Sequence, residues 1–277
     1  MTIAEALSWA TPHLQESCER PQFEAELLLA YHLGESRLYL YTHSDEPVSD
    51  PEAFHALVHR REAHEPYEYI VGEVSFYDIV LGIAPGVLIP RPETELLIDR
   101  AAEIIAREGV ARLVEIGIGS GAISIVLARK FPQLHIVATD ISDTALALAQ
   151  KNIESFGVAD RITLLKSHLM DKVMMDVEMV VSNPPYIAND FILEENVIAH
   201  EPHTALFGGK KGDELLHEIV LETQKRGIRW LACEMGYDQR ESMQNLFGRI
   251  GVEHSDFYRD LAGLDRGFVV EFPDRIH

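Results

Sequence analysis

The sequence predicts an α/β protein: a mostly parallel sheet covered by helices on both faces, preceded by a small helical domain and joined to it by a β-hairpin. Three observations carry this. From Arg112 to Phe247, short β-rich runs alternate with amphipathic helical runs at the spacing of βαβ units. Before Tyr69 the apolar residues recur at helical spacing. Between these stretches lies a β-rich segment punctuated by Gly72, Asp78 and Gly82. The expected organisation is a helical domain over residues 1–68, a hairpin linker over 69–90 and an α/β domain over 91–277.

The helical domain opens with Ile3, Leu7 and Trp9, then Leu14, which roughly follow helical spacing. Pro21 suits the first turn of a second helix, in which Phe23, Leu27, Leu28 and Tyr31 share a face and Gly34 is the stop. Asp50-Pro51 starts a third helix through Phe54, Leu57, Val58 and Arg61. The hairpin is expected to pair Tyr69–Tyr77 with Ile79–Leu81. In Ile89-Pro90-Arg91-Pro92-Glu93-Thr94-Glu95, two prolines one residue apart force a stiff, extended approach. A helix follows through Leu96, Leu97, Ala101, Ile104 and Ile105.

Strands are then expected at Arg112–Ile116, His135–Thr139, Ile162–Leu165, Val177–Ser182 and Ile228–Glu234. Helices between and after them cover Ala122–Lys130, Thr144–Ser155, Asp213–Lys225 and Asp238–Phe247. Two short strands, near Glu253–Tyr258 and Gly267–Phe272, add an antiparallel edge.

Composition narrows the function. The chain has 277 residues, 47% apolar and 25% charged, which is ordinary for a globular protein. No apolar run approaches the length of a spanning helix, and the N-terminus lacks a secretory pattern. Cys18 and Cys233 form no metal or redox spacing, and no metal is expected. A cytoplasmic location is the default. With 24 basic against 45 acidic residues the net charge is −21, which disfavours a long nucleic-acid footprint.

The first strand of the α/β region runs into Glu115-Ile116-Gly117-Ile118-Gly119-Ser120-Gly121. Its glycines permit positive φ and close backbone approach to a ligand, and the next helix presents its N-terminus there. The second strand ends on Asp140, an acid placed to accept both hydroxyls of a ribose. Gly117-x-Gly119-x-x-Ala122 also satisfies a dinucleotide fingerprint, so a nicotinamide-dependent oxidoreductase stays open at this point. Glu115 favours S-adenosylmethionine, whose α-amino group it can pair with; a dinucleotide has no such cation.

The fourth strand ends Ser182-Asn183-Pro184-Pro185-Tyr186. Asn183 and Pro184 each precede a proline, so both are held extended, at the sheet edge where open α/β proteins bind ligands. A planar amide or aryl amine nitrogen is a poor nucleophile because its lone pair is delocalised. An enzyme can accept both its N–H bonds and aim the lone pair at a methyl donor. The Asn183 side-chain carbonyl and the Pro184 backbone carbonyl suit that task, and Tyr186 can pack over the planar group. Asn183, Pro184 and Tyr186 are thus the expected catalytic residues. Asn183, Pro184, Pro185 and Tyr186 are expected to hold the acceptor. An oxidoreductase would leave this tetrapeptide without a purpose.

With these motifs in place, the chain resembles the HemK/PrmC-type release-factor glutamine methyltransferases over nearly its whole length. The resemblance rests on Leu88–Glu95, Glu115–Gly121, Asn183–Tyr186, Glu201-Pro202 before Ala205-Leu206, and the ending Arg259–Arg266. It implies a seven-stranded Rossmann-like class I methyltransferase domain, S-adenosylmethionine as cofactor, and the Gly-Gly-Gln glutamine of a class 1 peptide chain release factor as acceptor. It also implies that the N-terminal helices help hold the release factor. The residues it points to around the cofactor are Glu115, Gly117, Ile118, Gly119, Ser120, Gly121, Asp140, His168 and Asn183. Two departures stand out. Glu115 and Ile118 replace the usual aspartate and threonine, and Ser167-His168 stands where the family often has an acid near adenine. The tetrapeptide is shared with nucleic-acid adenine and guanine amino methyltransferases, and a ribosomal-protein glutamine methyltransferase is a near alternative.

Overall fold

The computed structural model describes residues 1–192, 195–252 and 254–273. The chain forms two compact units, Met1–Glu73 with Leu193–His200, and Val74–Ile192 with Glu201–His277.

The first unit is helical: α1 (Ile3–His13), α2 (Pro21–Leu33), α3 (Arg37–Thr42), α4 (Pro51–Glu62) and α5 (Tyr67–Val71). Its starts and stops follow capping chemistry. Thr2 and Glu5 form a capping box on α1, Asp50 caps α4, and Gly34 ends α2 in the left-handed conformation. Leu14, Leu28, Leu29, Leu40, Phe54 and Val58 make the core.

One expectation needs correction here. Tyr69–Val71 is helix, not strand. Pro66 sets up the turn, Gly72 at φ 78° ends it, and Tyr69 and Ile70 are buried, with Ile70 in the helical core. The β-propensity of Tyr, Ile and Val yields to that packing. The short helix α3, capped by the Ser36 side chain, lacks a sequence signal long enough to register.

The second unit begins at Val74, within the hairpin of β1 (Glu73–Phe76) and β2 (Ile79–Gly82), which turns at Tyr77, φ 55°. Then come α6 (Thr94–Glu108), β3 (Arg112–Ile116), α7 (Ala122–Lys130), β4 (His135–Asp140), α8 (Asp143–Ser155), β5 (Ile162–Lys166), β6 (Met179–Ser182) and β7 (Ile187–Ala188). Next is α9 (Glu195–His200), which groups with the helical unit. The chain continues through α10 (His203–Leu206), β8 (Phe207–Gly209), α11 (Glu214–Arg226), β9 (Trp230–Glu234), α12 (Arg240–Ile250), β10 (His254–Arg259) and β11 (Asp265–Glu271). Glu253, expected to open the penultimate strand, lies outside the described residues.

The main sheet has seven strands in the order β10-β11-β9-β6-β3-β4-β5. Five run parallel, and β11 inserts antiparallel between β9 and β10. Strand order reverses at β3, with β4 on one side and β6 on the other, so a crevice opens at their carboxyl ends. Val114, Val180, Leu231, Phe247 and Phe268 anchor a core against α11 and α12. No helix among the described residues is long and apolar enough to cross a membrane.

The hairpin is tied to this unit by side chains. Asn152 on α8 accepts from the Gly82 N–H at 3.0 Å and donates to the Gly82 carbonyl at 2.9 Å and the Ser120 carbonyl at 2.8 Å. A Cβ at Gly82 would stand 2.9 Å from the Asn152 oxygen, which explains the glycine.

Candidate active site

At the strand-order reversal a cleft of about 170 Å³ is walled by Gly117, Gly119, Asp140, His168, Asn183, Pro184 and Pro185, with Val87, Leu88 and Ala205 among its apolar lining. The two motifs that the sequence separates by some sixty residues thus face one space.

The glycine side of the cleft is built from backbone. Gly117 and Ile118 both donate to the Thr139 carbonyl, at 2.8 and 3.0 Å, and Gly121 donates to the Ile118 carbonyl at 2.9 Å. Gly117, Gly119 and Gly121 sit at φ 77°, 54° and 89°, where a side chain is strained. Asp140 receives one backbone N–H at each oxygen, from Gly119 at 3.1 Å and Ser142 at 2.9 Å. Each oxygen keeps lone pairs for a further donor.

Not every loop residue reaches the cleft. Ile118 and Ser120 are buried, and neither they nor Gly121 is part of its wall. A threonine-to-isoleucine difference at 118 therefore falls on the packed side of the loop. Glu115 is buried as well. Its carboxylate accepts from the Ser124 hydroxyl and backbone N–H, so it caps α7 from beneath. That helix N-terminus, expected to face a ligand, faces Glu115. Burial pushes the Glu115 carboxyl up to about 8, and the neighbouring Asp140 charge pushes the same way against the Ser124 bonds. His168 lines the cleft and is half-exposed, 3.9 Å from Glu218. The next residue, Leu169, stands at φ 41°, a conformation uncommon for leucine, in the same wall.

The acceptor side is built from side chains. Ser182 ends β6 by donating to the Ile116 carbonyl at 2.8 Å. Asn183 Nδ2 donates to Thr94 Oγ1 at 2.9 Å, and Thr94 Oγ1 donates to Glu234 Oε2 at 2.7 Å. The Tyr186 hydroxyl donates to the other Glu234 oxygen at 3.1 Å. Tyr186 does not line the cleft; it packs beside the core, and burial with the Glu234 charge raises its phenol well above the usual range. Burial lifts Glu234 to about 7, opposed by the Thr94 and Tyr186 bonds. Gln239 donates to the Tyr186 carbonyl at 2.7 Å and accepts from the Gly236 N–H at 2.9 Å. Behind the prolines, Gly208 is obligatory, since a Cβ there would stand 2.3 Å from the Pro185 carbonyl oxygen.

The proline-rich segment organises this half. Arg91 pairs with buried Glu201, which also accepts from the Ile89 N–H at 3.3 Å. Glu93 meets Arg266 at 3.4 Å, and Glu95 accepts from the Tyr77 N–H at 2.8 Å. The segments Leu88–Glu95, Glu201-Pro202 and Arg259–Arg266, noted in the sequence as separate matches, are thereby one bonded assembly. Thr94, Glu234 and Gln239 were not singled out from sequence as site residues. Thr94 stands out in the sequence only as part of the Leu88–Glu95 segment. Glu234 and Gln239 carry no local pattern, though an acid at a strand's carboxyl end is a signal that could have been followed.

Comparison with known proteins agrees with this geometry. Residues 5–72 match the PrmC N-terminal domain, and residues 93–204 match the methyltransferase small domain. The release factor glutamine methyltransferase of Dictyoglomus turgidum is 35% identical over 274 residues, spanning 95% of this chain and 96% of that protein. That of Geobacter sulfurreducens is 35% identical over 273 residues, spanning 96% and 95%. Among solved structures, the catalytic domain of human Mettl16 in complex with MAT2A 3'UTR hairpin 6 aligns with a TM-score of 0.58 at 19% identity, over 71% of this chain and 77% of that one. The N-terminal domain of human METTL16 in complex with SAH aligns at 0.54 and 18%, over 98% and 94%. At such identities these structures speak to the fold, a seven-stranded Rossmann-like methyltransferase fold. Near-full-length kinship at 35% identity, on a cleft that joins a glycine loop to an Asn-Pro-Pro-Tyr edge, decides the matter: the chain belongs to the release factor glutamine methyltransferase family.

Proposed function

We propose that this protein transfers a methyl group from S-adenosylmethionine to the side-chain amide nitrogen (N5) of the glutamine in the Gly-Gly-Gln motif of class 1 peptide chain release factors. The observation that carries the reading is the meeting, in one cleft, of Asp140 and the Gly117–Gly119 backbone with the rigid Asn183-Pro184-Pro185 edge. The cofactor fits the donor set. Asp140 lies in the wall of the glycine side with lone pairs to spare, which suits a ligand bearing vicinal hydroxyls. Gly117 and Gly119 leave room for close approach. When bound, S-adenosylmethionine supplies an electrophilic methyl group on a sulfonium.

The chain's own residues then bind and orient. Asp140 accepts ribose hydroxyls on lone pairs its backbone bonds leave over. Glu115 supports the loop from beneath through Ser124, and His168 and Leu169 would flank the base. Asn183 Oδ1 and the Pro184 carbonyl accept the two N–H bonds of the glutamine amide, which fixes its plane and turns its nitrogen face to the methyl. Positioning of this kind supplies much of the rate when the electrophile is already strong. Tyr186 acts from behind Asn183, through Glu234, and the helical unit, residues 1–73, contributes to holding the release factor. A partner that works on the ribosome places the reaction in the cytoplasm.

Incubating release factor with the protein and isotopically labelled S-adenosylmethionine, then mapping the product by mass spectrometry, tests the proposal. One methyl on the Gly-Gly-Gln glutamine is expected. Label on another protein residue, or on RNA in preference to release factor, overturns it.

A further inference from the structure

We infer that Thr94 and Glu234 are positioning residues that decide which way the Asn183 amide faces. The inference rests on the reading of Asn183 Oδ1 as an acceptor for the substrate amide. A threonine hydroxyl has one proton to give. At Thr94 that proton goes to Glu234 Oε2, 2.7 Å away. Toward Asn183 the Thr94 oxygen therefore offers only a lone pair, and Nδ2 is the end of the amide that can meet it, at 2.9 Å. Oδ1 is left pointing away from Thr94. A reversed amide would set Oδ1 against an oxygen with no proton left, a part-buried clash of acceptors.

Glu234 is suited to fix this polarity. It is buried, and it accepts at both oxygens, from Thr94 at 2.7 Å and from Tyr186 at 3.1 Å. In its ionised form Glu234 only accepts, and both partners must then donate. The order of donation thus runs one way, from Asn183 to Thr94 to Glu234. Thr94 opens α6, Glu234 ends β9 and Asn183 follows β6, so three rigid elements hold one side chain. Glu234 does not line the cleft and touches no substrate; it acts through Thr94.

The test uses the full chain with selective ¹⁵N-asparagine labelling, and single-turnover methylation of release factor. Thr94→Val and Glu234→Gln are expected to lower the methylation rate roughly 10–100-fold, the scale of one disturbed preorganised bond, while the KM for release factor stays within about twofold. Thr94→Ser, which keeps the hydroxyl, is expected to stay within about threefold of wild type, a rescue that a general packing role would not give. In the free protein the Asn183 side-chain amide protons should exchange slowly, and roughly tenfold faster in Thr94→Val, since the bond that protects them is gone. Wild-type rates and wild-type exchange in Thr94→Val overturn the inference. Should Glu234→Gln fail to fold, the Thr94 pair of variants decides. Should the wild-type chain leave release factor unmethylated, the functional reading fails, and the exchange measurement still decides the polarity of Asn183.

Discussion

The two sides of the cleft are held by different means. On the glycine side the geometry comes largely from main chain of adjacent segments: the Thr139 carbonyl collects two N–H groups and the Asp140 carboxylate two more, all within β3, β4 and the turns that follow them. On the acceptor side it comes from side chains of distant segments, with Asn183 secured by a threonine 89 residues earlier, itself secured by a glutamate 140 residues further on. The difference separates affinity from turnover. A main-chain cradle is hard to dismantle by substitution and serves binding. A side-chain relay is easy to cut at one atom and serves aim. Each side also rests on a buried glutamate, Glu115 beneath the loop and Glu234 behind the edge.

The largest effect that can break this comparison is at Asn183. Asn183→Ala removes the proposed acceptor and should cut single-turnover methylation about 10²–10³-fold, with cofactor affinity nearly unchanged and the melting curve close to wild type. Asn183→Asp keeps size and an acceptor but brings a charge beside the sulfonium, and should be impaired too. Methylation by the alanine variant at the wild-type rate removes Asn183 from the mechanism. Next comes Asp140→Ala, which deletes a charge-assisted acceptor worth roughly 1.5–3 kcal/mol, about 10–100-fold in S-adenosylmethionine affinity by calorimetry. Because Asp140 also gathers the Gly119 and Ser142 N–H groups, Asp140→Asn should recover part of the loss. Unchanged affinity in both variants would mean that the loop alone holds the cofactor.

A smaller effect sharpens the parallel between the glutamates. Both have carboxyls raised by burial, Glu115 to about 8 and Glu234 to about 7. The folded chain thus keeps protons that the unfolded chain has released above its ordinary carboxylate range. Stability from these two groups is complete below that range and is lost as pH rises through about 7 and then about 8. The melting temperature should fall by roughly 5 °C between pH 5 and pH 8.5, and less in a Glu115→Gln variant. A melting temperature that climbs across this interval would contradict the burial argument. The smallest expected change is at Asn152. Asn152→Ala frees Gly82 and the Ser120 carbonyl and should cost about 1–3 kcal/mol in denaturant unfolding, with cofactor affinity moderately reduced. A variant as stable as wild type would show that the hairpin needs no such clamp.

The same contrast explains what could be read from sequence. The parallel strands, their helices and the glycine turn follow from periodicity and from residues within one βαβ unit, so β3–α7–β4 stands where the pattern put it. Asp140, at the end of β4, needs only the strand to be placed. Asn183 was visible because two prolines mark it. Its supports were not, because hydrogen bonding across 89 and 140 residues leaves no local period. The helix at Tyr67–Val71 was misread for a related reason: its residues prefer strands, and the packing of Ile70 that overrules them is tertiary. The burial of Ile118 and Glu115 is likewise a matter of which side of a loop a residue takes, and sequence spacing does not encode that.

The placement of β11 has a consequence for how the molecule is made. β10 leaves the ribosome before β11, yet among the described residues β11 is its only neighbour in the sheet. A growing chain therefore carries β10 without a partner until β11 follows. The two then form a hairpin that docks on β9, bringing Gly267 alongside Glu234. The glycine side of the cleft draws on segments that precede β9, whereas the glutamate that steadies Asn183 pairs with a strand made after it. A nascent chain halted short of Gly267 is expected to bind cofactor before it can methylate, so that reactivity toward its partner switches on last.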